Sequence, residues 1–155
     1  SEVHGMAQRG GAVQAHLRLA DLEIYSDFIA KGSAQMILSM EPLEGLRYLG
    51  YLSLDGILIT ASEPLKNIPD YPGEEELYSV LHSLPSCRII EAERLAHEAG
   101  NPRATNMVIV GAASKLLPVR KESLESAIAD LFSAKGAEIT ARNIRAFELG
   151  RESQR

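Results

Sequence analysis

Tryptophan is absent from this 155-residue chain, cysteine occurs once, and aromatic residues make up only 5% of it. The scarcity of rings leaves little material for base-stacking platforms and assigns the core to Leu, Ile, Val, Ala and Met. The lone Cys87 excludes an internal disulfide, and one thiol cannot supply the several ligands that structural zinc sites and iron–sulfur clusters require. Any cluster would therefore belong to a partner. No apolar run approaches the roughly 20 residues that cross a bilayer, and no basic region followed by an apolar core opens the chain, so neither a membrane span nor a signal peptide is expected. A reducing cytoplasm is the expected compartment. Basic residues are outnumbered, 16 Lys and Arg against 21 Asp and Glu for a net charge of −5, which argues against nucleic acid as a partner.

What is present reads as one domain over residues 1–155, with 45% apolar and 24% charged residues. Residues 12–20 alternate, with Val13, Ala15, Leu17 and Leu19 on one side and Gln14, His16 and Arg18 on the other, as a strand with one wetter face does. Residues 35–40 (QMILSM) form a short apolar run. Glu41-Pro42 then opens a helical pattern through Leu43, Leu46, Leu49 and Leu52. Asp55-Gly56 reads as a turn, residues 57–60 (ILIT) as a buried strand, 63–73 as a loop punctuated by proline, and 74–84 as a helix. A strand at 87–91 and a glycine-closed helix at 92–100 repeat the order. Residues 104–117 are apolar on nearly every side, and Gly111, Ala112 and Ala113 predict a buried helix packed closely on a sheet. Two amphipathic helices follow, one turning Leu124, Ile128 and Leu131 inward, the other spanning about 137–150 with Ile139, Ile144 and Phe147 inward. Alternating strands and helices predict a largely parallel α/β sheet covered on both faces.

Chemistry is sparse. His4, His16, His82 and His97 are dispersed, without HExxH or an i, i+4 pair, so no metal site is expected. His82 and His97 fall on helices, where exposure is the ordinary outcome. No GxSxG elbow, GxGxxG or GxxxxGK[ST] occurs. Arg88 beside Cys87 could favour a thiolate, although a buried inert thiol is the simpler reading. Glu74, Glu75 and Glu76 read as the acidic first turn of a helix. Asn101 or Thr105 reads as a cap for the apolar helix, whose N-terminus could also face an anion. The unusual segment is residues 1–11, SEVHGMAQRGG, which sets Glu, His, Gln and Arg between three glycines. Such a stretch brings backbone amides and charges close to a ligand or another chain, or else simply serves turn geometry.

That segment and the alternating stretch after it resemble the gamma-type subunits of 2-oxoacid:ferredoxin oxidoreductases, most closely the small beta subunit of the indolepyruvate enzymes. Residues 37–46 (ILSMEPLEGL), 55–60 followed by Pro64-Leu65, and 106–118 (NMVIVGAASKLLP) agree, so the resemblance covers residues 1 to about 150. It implies a three-layer α/β/α domain with a Rossmann-like sheet. The family's pattern opens with a strand and a GxGGQG-like turn that do not occur here, so an N-terminal portion is expected to be missing. The resemblance also implies a subunit that carries no catalytic residue, inactive alone and able to form a homo-oligomer when isolated. Its expected partner is a large subunit bearing thiamine diphosphate and iron–sulfur clusters, with coenzyme A as co-substrate and ferredoxin as electron acceptor through the complex. The implied reaction is oxidative decarboxylation of indolepyruvate or another aryl 2-oxoacid. Carried onto this chain, the motif points to Glu2, His4, Gln8, Arg9, Gly10 and Gly11 as the segment facing the partner or substrate, with Asn106 a further candidate. Two other readings stand beside this one: a self-sufficient α/β domain binding CoA or a nucleotide at the strand C-termini, and a homo-oligomeric scaffold.

Overall fold

The computed structural model describes residues 13–66 and 68–153. Its sheet consists of three parallel strands, β1 (Ala34–Ser39), β2 (Leu52–Ala61) and β3 (Cys87–Ile90), neighbours in the sheet in the order they occur in the chain. The connections are α1 (Pro42–Arg47) with a 3-10 turn at Leu49–Tyr51, and α2 (Glu74–Ser83). Four more helices follow: α3 (Ala92–Glu98), α4 (Thr105–Ala113), α5 (Lys121–Phe132) and α6 (Ala137–Glu152).

Side-chain alternation along β2 divides the core in two, because successive residues of a strand point to opposite faces. Leu58 meets Leu77 and Leu81 of α2, with Leu43 and Leu46 of α1 packed against them. Ile59 and Ala61 face the other way, into a cluster with Ile90, Val108, Ile109, Ala146 and Phe147. The helices thus lie on both sides of a parallel sheet, as the sequence predicts. On the second side α4 touches β1 and β2, and α6 covers α4.

Several boundaries differ from expectation, each for a tertiary reason. The strand expected at 12–20 forms no ladder over its described part, where only Ala15 makes a single bridge. Nor does the expected facing hold: Val13, Leu17 and Leu19 stand exposed, while Gln14 and His16 are the half-buried side chains, because His16 is held inward by the Ile29 N–H and the Phe28 and Tyr51 rings. The helical pattern from 41 to 52 ends at Arg47, and Leu52 opens β2 instead. The Asp55-Gly56 turn lies inside β2. Ala34 pairs with Leu52 and Met36 with Ile57, two steps in β1 against five in β2, so residues 53–56 bulge out of register. Glycine is required there, since a Cβ on Gly56 would sit 2.8 Å from the Ala34 carbonyl oxygen and 2.7 Å from Leu52.

The helix after β3 closes as expected. Gly100 has φ +76, its N–H bonds the His97 carbonyl, and the Asn101 N–H reaches back to Ala96, the paired bonds of a Schellman motif. On α5, Leu124 and Ile128 do face the core, but Leu131 is 66% exposed and Phe132 takes its place, because 124, 128 and 132 share one stripe. On α6, Phe147 is fully buried and Ile144 packs against the core, while Ile139 is half-buried. The buried seam there is Asn143, Ala146, Phe147 and Gly150. Gly111, expected to bring α4 close to the sheet, instead brings it against α6.

Candidate functional site

Open parallel sheets gather their sites at the carboxyl ends of the strands. At that end of β1 stands Glu41, only 8% exposed. One carboxylate oxygen accepts the backbone N–H of Glu44 at 2.8 Å, capping α1. The other accepts the Tyr71 hydroxyl and the Leu65 N–H at 3.4 Å, both from the loop after β2. Burial first, and then the hydrogen bond and charge of Glu41, push the Tyr71 hydroxyl well above its ordinary pKa. Tyr78 is raised as well, chiefly by burial, and its hydroxyl donates to the Ser62 carbonyl. A tyrosine whose folded pKa exceeds its unfolded value supports the fold below about pH 10 and withdraws that support as pH rises further. Thermal stability should therefore fall above that pH, and less steeply in Tyr71→Phe; parallel alkaline profiles for the two proteins would contradict this.

The helices entered from the strands already hold carboxylates at their N-termini. Glu41 caps α1, Glu74, Glu75 and Glu76 form the first turn of α2, and Glu63 accepts the Glu93 N–H of α3 at 3.2 Å. These are the positions at which a helix dipole would otherwise attract a phosphate or carboxylate. An incoming anion meets negative charge instead. Lys66 does not offset it freely, being paired with Glu74 at 2.6 Å.

A second feature is a groove of about 410 Å³ between residues 13–16 and the edge strand β1, walled by Val13, His16, Met36, Leu38, Tyr48 and Tyr51. His16 ties the outer wall down: its Nδ1 accepts the Ile29 N–H at 3.0 Å, and its ring stands edge-on to Phe28 and Tyr51.

Of the residues singled out from sequence, Glu2, His4, Gln8, Arg9, Gly10 and Gly11 lie outside the described residues. Asn106 is exposed in the first turn of α4, where its Oδ1 accepts the Met107 N–H at 3.0 Å, and it does not line the groove. The capping role read for Asn101 or Thr105 does not hold. Ala104 precedes α4 without a side-chain cap, and Asn101 turns to the Arg103 N–H at 3.2 Å. His82 and His97 are exposed on α2 and α3, and burial raises the Cys87 pKa, so the half-buried thiol is not activated. Among the described residues no cluster of three or more His, Cys, Asp or Glu could hold a metal, and no helix is long and apolar enough to cross a membrane. Glu41 and Tyr71 escaped the sequence reading. The signal for Glu41 was an acidic residue directly before a helix-opening proline, three positions ahead of Glu44, a capping spacing; nothing local pointed to Tyr71.

The fold and site define a two-sided parallel α/β domain whose carboxyl edge is occupied by its own carboxylates. A family model for pyruvate ferredoxin/flavodoxin oxidoreductase matches residues 1–153, and the chain belongs to that family. The indolepyruvate oxidoreductase subunit IorB of Thermococcus kodakarensis is 35% identical over 96% of this chain and 77% of its own length. The subunit of the same name from Methanothermobacter thermautotrophicus is 36% identical over 97% of this chain and 79% of its own. Among solved structures, the fold resembles part of 2-oxoglutarate:ferredoxin oxidoreductase from Magnetococcus marinus, solved with 2-oxoglutarate, coenzyme A and succinyl-CoA. The TM-score is 0.62 at 19% identity, over 87% of this chain and 22% of that one.

Proposed function

We propose that this chain is the small, non-catalytic subunit of a thiamine-diphosphate-dependent 2-oxoacid:ferredoxin oxidoreductase. In this reading the assembled enzyme converts indolepyruvate, or another aryl 2-oxoacid, with coenzyme A to the acyl-CoA and carbon dioxide, passing the electrons to ferredoxin. The observation that carries the proposal is similarity along nearly the whole chain to subunits named for indolepyruvate oxidoreductase. Thiamine, when bound, supplies the carbanion chemistry. With one cysteine in the chain, the residues here do not fit an iron–sulfur cluster, and the proposal assigns clusters and thiamine to a larger cytoplasmic partner. The alternative of a stand-alone domain binding CoA or a nucleotide at the strand C-termini is disfavoured by the carboxylates already seated there.

The partner- or substrate-facing role falls to residues 2–11, with Arg9 as its centre, because a guanidinium pairs bidentately with a carboxylate of a 2-oxoacid or of the partner. Arg9→Ala in the assembled complex is expected to raise KM for the 2-oxoacid, or weaken subunit association, by about ten- to a hundredfold. Wild-type turnover together with wild-type assembly would remove Arg9 from the site. Purification of the tagged protein from its source tests the whole reading: a co-purifying large subunit carrying thiamine diphosphate and iron is expected, and a folded, solitary chain would overturn it.

A further inference from the structure

Residues 16–29 run without helix or strand. Among the described residues, no backbone–backbone hydrogen bond involves this stretch, and side chains close it into a loop instead. The Arg18 guanidinium donates to the Ser26 carbonyl at 2.7 Å. At the base of the loop His16 Nδ1 accepts the Ile29 N–H at 3.0 Å, joining residues 13 positions apart. Surface loops whose ends are held together in this way are Ω-loops. The same imidazole also joins the loop to the fold. Its ring stands edge-on to Phe28 and to Tyr51, with centroids 5.6 and 5.9 Å away, and it walls the groove beside β1.

Acceptance at Nδ1 specifies the state of the ring. A neutral imidazole that accepts there carries its proton on Nε2, which lies 3.5 Å from the Gln14 side-chain amide. An imidazolium has a proton on both nitrogens and accepts at neither. Proton uptake by His16 therefore sets N–H against N–H at the base of the loop, and histidine is the side chain that ordinarily changes charge between about pH 5 and 8.

We propose that His16 is a pH-sensitive clasp: its neutral ring holds loop 16–29 closed against Tyr51 and the β1 groove, and its protonation opens the loop. The sign follows from the acceptor. The clasp is complete at alkaline pH and is lost as pH falls through the range in which the ring takes up its proton. Around it stand Arg18 and Asp27 of the loop itself, and Tyr51, Tyr48, Glu44 and Glu41 from the elements that wall the groove. A His16→Phe variant separates the titration of His16 from theirs, because it keeps a ring against Tyr51 and removes the acceptor.

Amide exchange of the full chain, corrected for the intrinsic pH dependence of exchange, tests the clasp at pH 7.5 and pH 5. In the wild type, protection of the Ile29 amide should fall by about tenfold or more at the lower pH, while Leu58, whose N–H bonds the Ser86 carbonyl within the core, keeps its protection. In His16→Phe the Ile29 amide should be poorly protected at both pH values. By NMR, the His16 ring and the Ile29 amide of the wild type should titrate with one midpoint. An Ile29 amide that loses no more protection than Leu58 would overturn the clasp. So would an equal response to pH in His16→Phe, or separate midpoints for ring and amide.

Discussion

Replacing Gly150 by alanine should cost the domain about 3 kcal/mol or more, at the upper end of what overpacking does and a large share of the stability of a single domain. A Cβ at Gly150 would lie 2.0 Å from the Val108 carbonyl oxygen and 2.7 Å from its carbon. The contact is reciprocal: a Cβ at Gly111 would lie 2.0 Å from the Phe147 carbonyl oxygen. The two helices meet backbone to backbone at this pair of glycines, so no side chain can rotate aside and α6 would have to move off α4. Alanine's advantage in a helix interior, about 1 kcal/mol over glycine, is too small to compensate. Urea denaturation of Gly150→Ala and Gly111→Ala tests this, with Gly50→Ala as control because nothing lies within 4 Å of the Cβ it would add. Wild-type midpoints for the first two would mean that the helices are not in close contact.

Phe147→Ala should be comparably damaging, about 3–5 kcal/mol, the range seen when a large buried aromatic is deleted. Phe147 is the largest fully buried side chain and belongs to the cluster joining α6 and α4 to Ile59 of β2. Its removal leaves a cavity that cannot collapse without drawing the helices closer, and the glycine contact already sets them at their limit. For that reason Phe147→Leu should recover only part of the loss, and the effects of Phe147→Ala and Gly150→Ala should not add, since both act on one seam. A loss below about 1 kcal/mol in Phe147→Ala would show that the seam is not under this constraint.

Much of the architecture was legible from local patterns. The short apolar runs became β1, β2 and β3, and the acidic turn at 74–76 opened α2 where helix electrostatics favours it. Gly100 closed α3, because only a residue free of a Cβ adopts its positive φ at no cost. What failed locally failed for one reason. Leu131 sits at helical spacing from Ile128 yet points outward, and Leu52 continues a leucine repeat yet belongs to a strand; both depended on where a neighbouring element lay.

The family motif stands in the linear order of residues 1–11 and needed no coordinates to be read. Nor did the parallel α/β class, the absence of cluster ligands and the acidic balance, since each depends only on residue type and spacing along the chain. Tertiary structure alone decided that residues 13–16 face β1 across a groove, that residues 53–56 bulge from β2, and that Gly111 meets α6 rather than the sheet. It also decided that Tyr71, 30 residues from Glu41, donates to its carboxylate. Those outcomes rest on distances between residues far apart in sequence, which are set by the packing of whole elements and are not encoded in any local stretch.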